Sequence, residues 1–439
     1  MNITLNNELI ITDYSEDEAQ RIKSSLTLQN PNWVTALSMG KSLWGINQKL
    51  EFYKEENSVL RIPIGCIDWI KSTFANNVII TDSRYSAPSL NIKFIGTLYD
   101  YQKRATSAMM GVTNGVLCSN TGTGKTAMAC SMISILREPT LILVDTIELL
   151  NQFVSRLKTF TDVRNVGIIG QGKENIQDIT VATLQTLNRW TEQELQDLKF
   201  GMMICDECQI CPALTYFRVI NNINSKYKYG LSATPERADG LTKVIFFATG
   251  PLTYNVPDSD VLEKIIKPTY QYVETNYFYP LFDSAEYGIM ISDIGTNAER
   301  NKLIIDTVNK YPTQQCVLLC HRQDHVELLA SMLPGSAILL SKTKKKDRIR
   351  VIKDLESGKI RRVVTTWQLF HKGIDLAELE LLFICAPTRS KVWLKQSAGR
   401  LMRVSKKIDK HPMIIDFFDK NVDLLKYSFY SRKKVLTNL

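Results

Sequence analysis

In the segment GVLCSNTGTGKTAMACSMISIL a short apolar run passes through a Gly-rich turn into a helix-forming stretch, the context that a phosphate-binding loop requires. Gly122 and Gly124 let backbone N–H groups point at phosphate oxygens with no Cβ in the way, and the following helix N-terminus adds partial positive charge. In that setting Lys125 reaches the β- and γ-phosphates of a nucleoside triphosphate, and the Thr126 hydroxyl ligates Mg²⁺. Ser119 stands where the usual pattern has its first glycine. A second apolar run, GMMICDECQ, ends on Asp206 and Glu207, at the carboxyl edge where nucleotide sites form in doubly wound sheets. There Asp206 would hold the magnesium ion, and Glu207 would orient and deprotonate the water that attacks the γ-phosphate. Near the C-terminus, QSAGRLMR contains Gln396, Gly399, Arg400 and Arg403 in a helical stretch, with the two arginines three apart on one face. Supplied from a second sheet, such arginines stabilise transition-state charge, an effect of about 10³ to 10⁵ in rate.

Positioning these groups takes stacked parallel strands. From about Gly115 onward, β-branched runs of five to seven residues alternate with helix-length segments: TLILVDT, NVGIIG, DITVAT, GMMICDE and YKYGLSAT, then QCVLLCH, SAILL, IRRVVTTW, LELLFICA and HPMIIDF. Continuous apolar runs of this kind predict strands buried on both faces of parallel α/β sheets. The first series ends near Tyr254 and the second begins near Asn297, so two sheets are expected, joined by an aromatic and Pro-containing connection. Residues 1–95 read differently, with NITLNNELIIT as strand and SEDEAQRIKSSL as a helix capped by Ser15, a small α+β domain.

Composition agrees with folded domains. The chain has 439 residues, 44% apolar and 23% charged, which excludes a disordered or collagen-like chain. No run approaches the roughly 18 to 20 uncharged apolar residues of a membrane span, and MNITLNNELI lacks the layout of a signal peptide, so a cytoplasmic protein with no membrane partner is expected. Its nine cysteines are read as reduced thiols. The net charge is +9, and the stretch Thr388–Leu439, with 13 basic and 4 acidic residues, carries a surplus of that size; Lys342–Arg362 is also dense in cations. A polyanionic partner fits this distribution, although a solvated basic face would look the same.

Taken together, the motifs resemble those of superfamily 2 helicases in order, from about Leu98 to Phe418. LYDYQKRA resembles the adenine-reading segment with Gln102, SNTGTGKT motif I, DECQ motif II, SATP motif III, VVTTWQLFHKGID motif V and QSAGRLMR motif VI. The resemblance implies an α/β fold of two tandem RecA-like domains with a small N-terminal α+β domain. It implies ATP and Mg²⁺ bound by Gln102, Thr121, Gly122, Thr123, Gly124, Lys125 and Thr126, with Gly373 and Asp375 bridging the nucleotide and nucleic-acid sites. Ser232, Thr234 and Gln396 would couple hydrolysis to the strand, and Thr365 and Thr366 would lie near DNA phosphates. SATPERADG followed by TNAERN resembles the XPB-like and restriction-motor branch, which includes phage UvsW-like fork-remodelling helicases. NPNWVTALSMGKSLWGINQKLEFYKEENSVLRIPIG resembles the accessory DNA-engaging segment of that branch. Two departures stand out: DECQ replaces the more usual DEAH or DECH, and Asp145 occupies a position where relatives often carry proline.

The expected organisation is an accessory domain at 1–95, an ATP-binding domain at 96–255, a linker at 256–296 and a domain supplying arginine fingers at 297–439. The expected activity is ATP-dependent unwinding or branch migration of forked and junction DNA in replication, recombination or repair, 3′ to 5′ by resemblance, with replication or recombination proteins as possible partners. An RNA helicase and a nucleic-acid-binding ATP switch are the alternatives. Three features are read as decoys. Cys205, Cys208 and Cys211 lie on and beyond a buried strand rather than around a metal; His321 and His325 are placed on a helix surface rather than on zinc; Trp367 and Trp393 are read as packing rather than base stacking.

Overall fold

The computed structural model describes residues 1–74, 78–120, 122–211, 213–234, 239–261, 266–280, 286–371, 378–402 and 409–438. The chain divides into two compact units, Met1–Ser119 with Gly124–Pro257, and Asp258–Leu439 with Asn120–Thr123.

The first unit opens with a five-stranded sheet built from β1 (Asn2–Leu5), β2 (Glu8–Thr12), β5 (Lys54–Glu56), β6 (Val59–Pro63) and β7 (Ile79–Asp82), in the order β5-β6-β2-β1-β7. Between β2 and β5 lie the helix Glu16–Ser25 and a small pair, β3 (Thr27–Gln29) with β4 (Lys49–Glu51). The helix starts with a reciprocal cap in which Ser15 Oγ accepts from the Glu18 N–H and Glu18 accepts from the Ser15 N–H. Alternation in β2 buries Leu9 and Ile11 on one face, the signature of a sheet covered on one side. That face is not closed by its own residues. Leu241 and Val244, with Phe217 and Phe247, complete the core around Leu9, Leu60 and Ile62. Gly65 sits so close to the helix Thr242–Thr249 that a Cβ there would meet the Phe246 carbonyl oxygen at 2.1 Å and the Gly250 nitrogen at 2.6 Å. The small sheet is therefore fused to the larger one through a backbone contact that only glycine permits.

The larger sheet has eight strands in the order β11-β10-β12-β9-β13-β14-β8-β15. They are β8 (Asn114–Cys118), β9 (Thr140–Val144), β10 (Gly167–Gly170), β11 (Lys173–Asn175), β12 (Ile179–Thr183), β13 (Met202–Asp206), β14 (Tyr227–Ser232) and β15 (Leu252–Asn255). All pairings are parallel except β10 with β11. β8, β9 and β12 are buried at every residue, as continuous apolar runs flanked by helices must be. This order sets the carboxyl ends of β13, β14 and β8 side by side.

The second unit carries a six-stranded all-parallel sheet, β16-β21-β20-β17-β19-β18. Its strands are β16 (Thr269–Thr275), β17 (Cys316–Cys320), β18 (Ala337–Leu339), β19 (Arg362–Thr366), β20 (Leu381–Ile384) and β21 (Met413–Asp419). Two buried ion pairs tie β21 to helices: Arg300 Nε to Asp419 Oδ1 at 2.7 Å, and Arg432 bidentate to Asp416 at 2.9 and 3.0 Å. The expected linker at 256–296 needs correction. TYQYVET forms β16, paired along its length with β21, and Tyr287–Thr296 is a helix, because aromatic and β-branched residues at 269–275 suit an edge strand. The expectation of a helix-surface histidine pair also fails. His321 Nε2 lies 2.5 Å from the Pro387 carbonyl, and His325 is buried with Nε2 3.0 Å from Asn301 Oδ1; burial pushes the His325 imidazole down to about 3.

Gly65→Ala should cost about 1–3 kcal/mol of stability because three backbone atoms block the new methyl. Urea denaturation will show this as a lower midpoint, accompanied by faster proteolysis within the first 95 residues.

Candidate functional site

The phosphate loop joins β8 to the helix Lys125–Leu136. Gly122 at φ +90° and Gly124 at φ +85° occupy the left-handed region, which a side chain would strain. A Cβ at Gly124 would also meet Gln102 Nε2 at 2.4 Å, so the Gln102 amide lies against the loop. Gln102 is held there by a bond to its Oε1 from the Tyr99 N–H at 2.9 Å, while the rings of Tyr99 and Tyr101 stack at 5.9 Å. Lys125 Nζ donates to the Ser119 carbonyl at 2.9 Å. Ser119 is not among the residues with positive φ and is buried, with its N–H bonded to the Ser232 carbonyl at 2.9 Å; glycine's freedom is not needed at that position. Thr123 Oγ1 donates to the Asn120 carbonyl, Thr126 is the second residue of the helix, and Thr121 lies outside the described residues.

Asp206 ends β13, and Glu207 follows in the left-handed conformation at φ +51°, an uncommon geometry for a non-glycine residue and one that concentrates at functional sites. Burial pushes the Asp206 carboxyl up to about 7, the adjacent Glu207 charge adds to the rise, and Lys125 opposes it. Two neighbouring carboxylates at a buried strand end, beside a threonine-bearing phosphate loop, form a donor set that suits Mg²⁺, and a bound cation would hold Asp206 ionised.

Gln209 explains how Glu207 is kept in place. Its Nε2 donates to Glu207 Oε2 at 2.6 Å, and its Oε1 accepts from Ser232 Oγ at 2.7 Å. Ser232 Oγ in turn accepts from the Thr234 N–H at 3.0 Å. Gln209 thus uses both ends of its amide to link the residue after β13 to the end of β14. Sequence reading left this residue without a partner; its two-residue offset from Glu207 on a tight 3₁₀ turn, Cys208–Ile210, was the available signal. Asp145 likewise has a partner, accepting from Tyr216 Oη at 3.3 Å.

Cys205 Sγ and Cys211 Sγ lie 3.5 Å apart in the apolar core with Cys208, and burial raises the Cys208 and Cys211 thiols. These groups pack as small hydrophobes.

In the second unit, the helix Lys391–Leu401 is capped by Ser390, and Gln396 and Arg400 lie on its buried side. Arg400 stands 5.2 Å above the Phe370 ring. Arg403, Gly373 and Asp375 lie outside the described residues. Thr365 is turned inward: its Oγ1 donates to the Leu339 carbonyl at 2.8 Å and is fully buried, so it braces β19 on β18. Thr366 Oγ1 accepts from the Leu369 N–H and caps the next helix. Trp367 is fully buried, with Nε1 donating to the Ala386 carbonyl at 3.0 Å, and stacks on Trp393.

Two tandem parallel sheets, one of them bearing a phosphate loop beside an Asp-Glu strand end, define a RecA-like nucleotide-driven motor. Residues 95–237 match the family described as type III restriction enzyme, res subunit, and residues 299–405 match the helicase conserved C-terminal domain. The chain is 26% identical over 365 residues to the DNA 3′-5′ translocase XPB2 of Sulfurisphaera tokodaii, covering 74% of this chain and 82% of that protein. It is 25% identical to a putative ATP-dependent RNA helicase of Acanthamoeba polyphaga mimivirus, covering 80% and 69%. Among solved structures, S. cerevisiae Dbp5 bound to RNA and ADP BeF3 has a TM-score of 0.58 at 16% identity, covering 79% of this chain and 89% of that one, a likeness of fold. The two family matches and the XPB2 relative support a helicase of superfamily 2, similar to its XPB-like and restriction-motor branch.

Replacing Gln209 with alanine removes both bonds and leaves the Ser232 hydroxyl and the Glu207 carboxylate without that bridge. ATP turnover should fall about tenfold or more with KM for ATP unchanged, the result expected if the bridge serves to position the Glu207 carboxylate. A steady-state ATPase assay reads both parameters.

Proposed function

We propose that the chain is an ATP-driven DNA translocase that opens or branch-migrates forked and junction DNA, moving 3′ to 5′. The observation that carries the reading is the convergence of Lys125, Asp206, Glu207 and the Gln209–Ser232 bridge on one strand edge. Lys125 neutralises the β- and γ-phosphates, Gln102 reads the adenine, and Glu207, aimed by Gln209, takes the proton of the attacking water. Asp206 and Thr126 would hold Mg²⁺, which when bound would supply positive charge to the phosphate oxygens. Gly373 and Asp375 are assigned to relaying nucleotide state to the strand. Arg400 and Arg403 are assigned to stabilising the charge that develops on the γ-phosphate, and Ser232 and Gln396 to passing the state of the site to the strand.

In this reading residues 1–95 are the accessory DNA-engaging domain, 96–255 bind ATP, and residues 297–439, within the second unit, supply the arginines. The XPB2 relative is a DNA translocase, which favours DNA. Within the first 95 residues, Trp44 is 93% exposed between Gly40 and Gly45, in a stretch from Leu26 to Leu50 that contains Lys41 and Lys49 and no acidic residue, which suits contact with a polyanion. A second reading, an RNA-directed motor, is favoured by the mimivirus relative, a putative ATP-dependent RNA helicase.

ATP hydrolysis measured alone and with single-stranded DNA, forked DNA, a four-way junction or RNA of matched length separates these readings. Branched DNA should stimulate most; stimulation by RNA alone would overturn the DNA assignment. Lys125→Ala and Glu207→Gln should each abolish turnover while nucleic-acid binding at low salt persists, and Arg400→Ala should slow hydrolysis by about 10³ or more.

A further inference from the structure

The basic surplus after Thr388 is only partly available at the surface. Arg400, Lys410 and Arg432 are buried, and Arg389 lies over the Tyr287 ring at 5.0 Å. The helix Asp423–Thr437 is where cations and uncovered aromatics coincide. It docks on the second sheet through Leu425, Phe429, Arg432 and Leu436, a stripe at i, i+4, i+7 and i+11. The Arg432–Asp416 pair, with Tyr270 Oη donating to Asp416 Oδ2 at 3.1 Å, fixes the rotation of the helix. Its opposite side therefore faces outward by construction. That side presents Tyr427, 76% exposed, and Tyr430, 58% exposed, one turn apart, with Lys426, Lys433 and Lys434 around them.

Tyr430 stands on a rigid base. Phe418 and Phe429 stack at 4.1 Å and 18°, and Tyr430 meets Phe418 edge-on at 5.9 Å. Tyr272 of the edge strand β16 packs on Phe429 at 5.2 Å, and Lys433 Nζ lies 5.0 Å from its ring. The two acids of the patch are each held by a lysine: Asp423 by Lys426 and Glu274 by Lys420, both at 2.9 Å. The face is thus net positive, with two large flat rings uncovered and about 4.5 Å apart along the helix axis.

We propose that this face is a binding site for single-stranded nucleic acid, with unpaired bases stacking on Tyr427 and Tyr430 and phosphates taken by Lys433 and Lys434. Rings and cations interleaved on a fixed support form the arrangement that holds unpaired strands without sequence preference. A protein partner would use the rings but has no comparable need for the cations. The site lies beyond residues 299–405, which match the helicase C-terminal family, so it adds a hold on the strand outside the shared motor. The proposal rests on the nucleic-acid motor reading above.

The test uses the full chain without nucleotide and fluorescence anisotropy with two labelled probes, an oligo-dT and an oligomer of abasic sites of the same length. Loss of stacking in Tyr427→Ala/Tyr430→Ala should weaken oligo-dT binding by about five- to tenfold and leave abasic binding nearly unchanged. Tyr427→Ala alone, whose ring makes no contact with the Phe418–Phe429 pair among the described residues, should give part of the loss with an unchanged melting temperature. Lys433→Gln/Lys434→Gln should weaken both probes and flatten the salt dependence. Basal ATP turnover should stay at the wild-type value in all three variants. Variants that keep the wild-type affinities and salt slope overturn this site alone, provided that wild type binds and is stimulated by nucleic acid. Failure of wild type to bind either probe overturns the motor reading and this site with it.

Discussion

The parallel pairing of β13, β14 and β8 is the constraint on which the first unit's chemistry depends. Register sets Asp206 beside Leu231 and Ser232 beside Cys118, so the residues leaving three strands emerge at one edge. Ser119 and Ser232 then bond through their backbones, and the phosphate loop, the acidic pair and the turn after β14 share one small volume. Parallel strands make this possible because every strand in such a sheet ends on the same side.

Around that edge, local geometry departs from the ordinary where the chemistry requires it. Glu207 adopts a left-handed backbone, and Gln209 is the side chain that makes this conformation useful by anchoring the carboxylate to the neighbouring strand. An amide suits the position because it donates at one end and accepts at the other without changing charge near neutral pH. Asp206 is the counterpart: desolvation and the adjacent Glu207 charge disfavour its ionised form, and a bound divalent cation would restore it.

The small N-terminal sheet illustrates a different physical limit. A one-sided sheet of this size cannot bury its own apolar face, and it borrows Phe217, Leu241, Val244 and Phe247 from the larger fold. In the second unit, buried arginines do comparable work by locking helices onto β21. This accounts for part of a basic tract that charge counting alone would assign wholly to a polyanion.

Continuous apolar runs, a glycine-rich turn and an Asp-Glu pair at a run's end were sufficient to specify the parallel strands, the phosphate loop and the acidic site, because each depends on residues adjacent in the chain. The helix cap at Ser15 was legible for the same reason. The inward turn of Thr365, the burial of His325 and the conversion of an expected linker into β16 were not. They depend on Leu339, Asn301 and β21, residues distant in sequence, and on which side of an element faces the core. Likewise, the chain alone shows that Gln209 lies two residues beyond Glu207, but only the fold brings Ser232 within 2.7 Å to make it a bridge. Short-range chemistry is set by spacing along the chain, whereas the partner of a buried polar group is set by the strand that packs beside it.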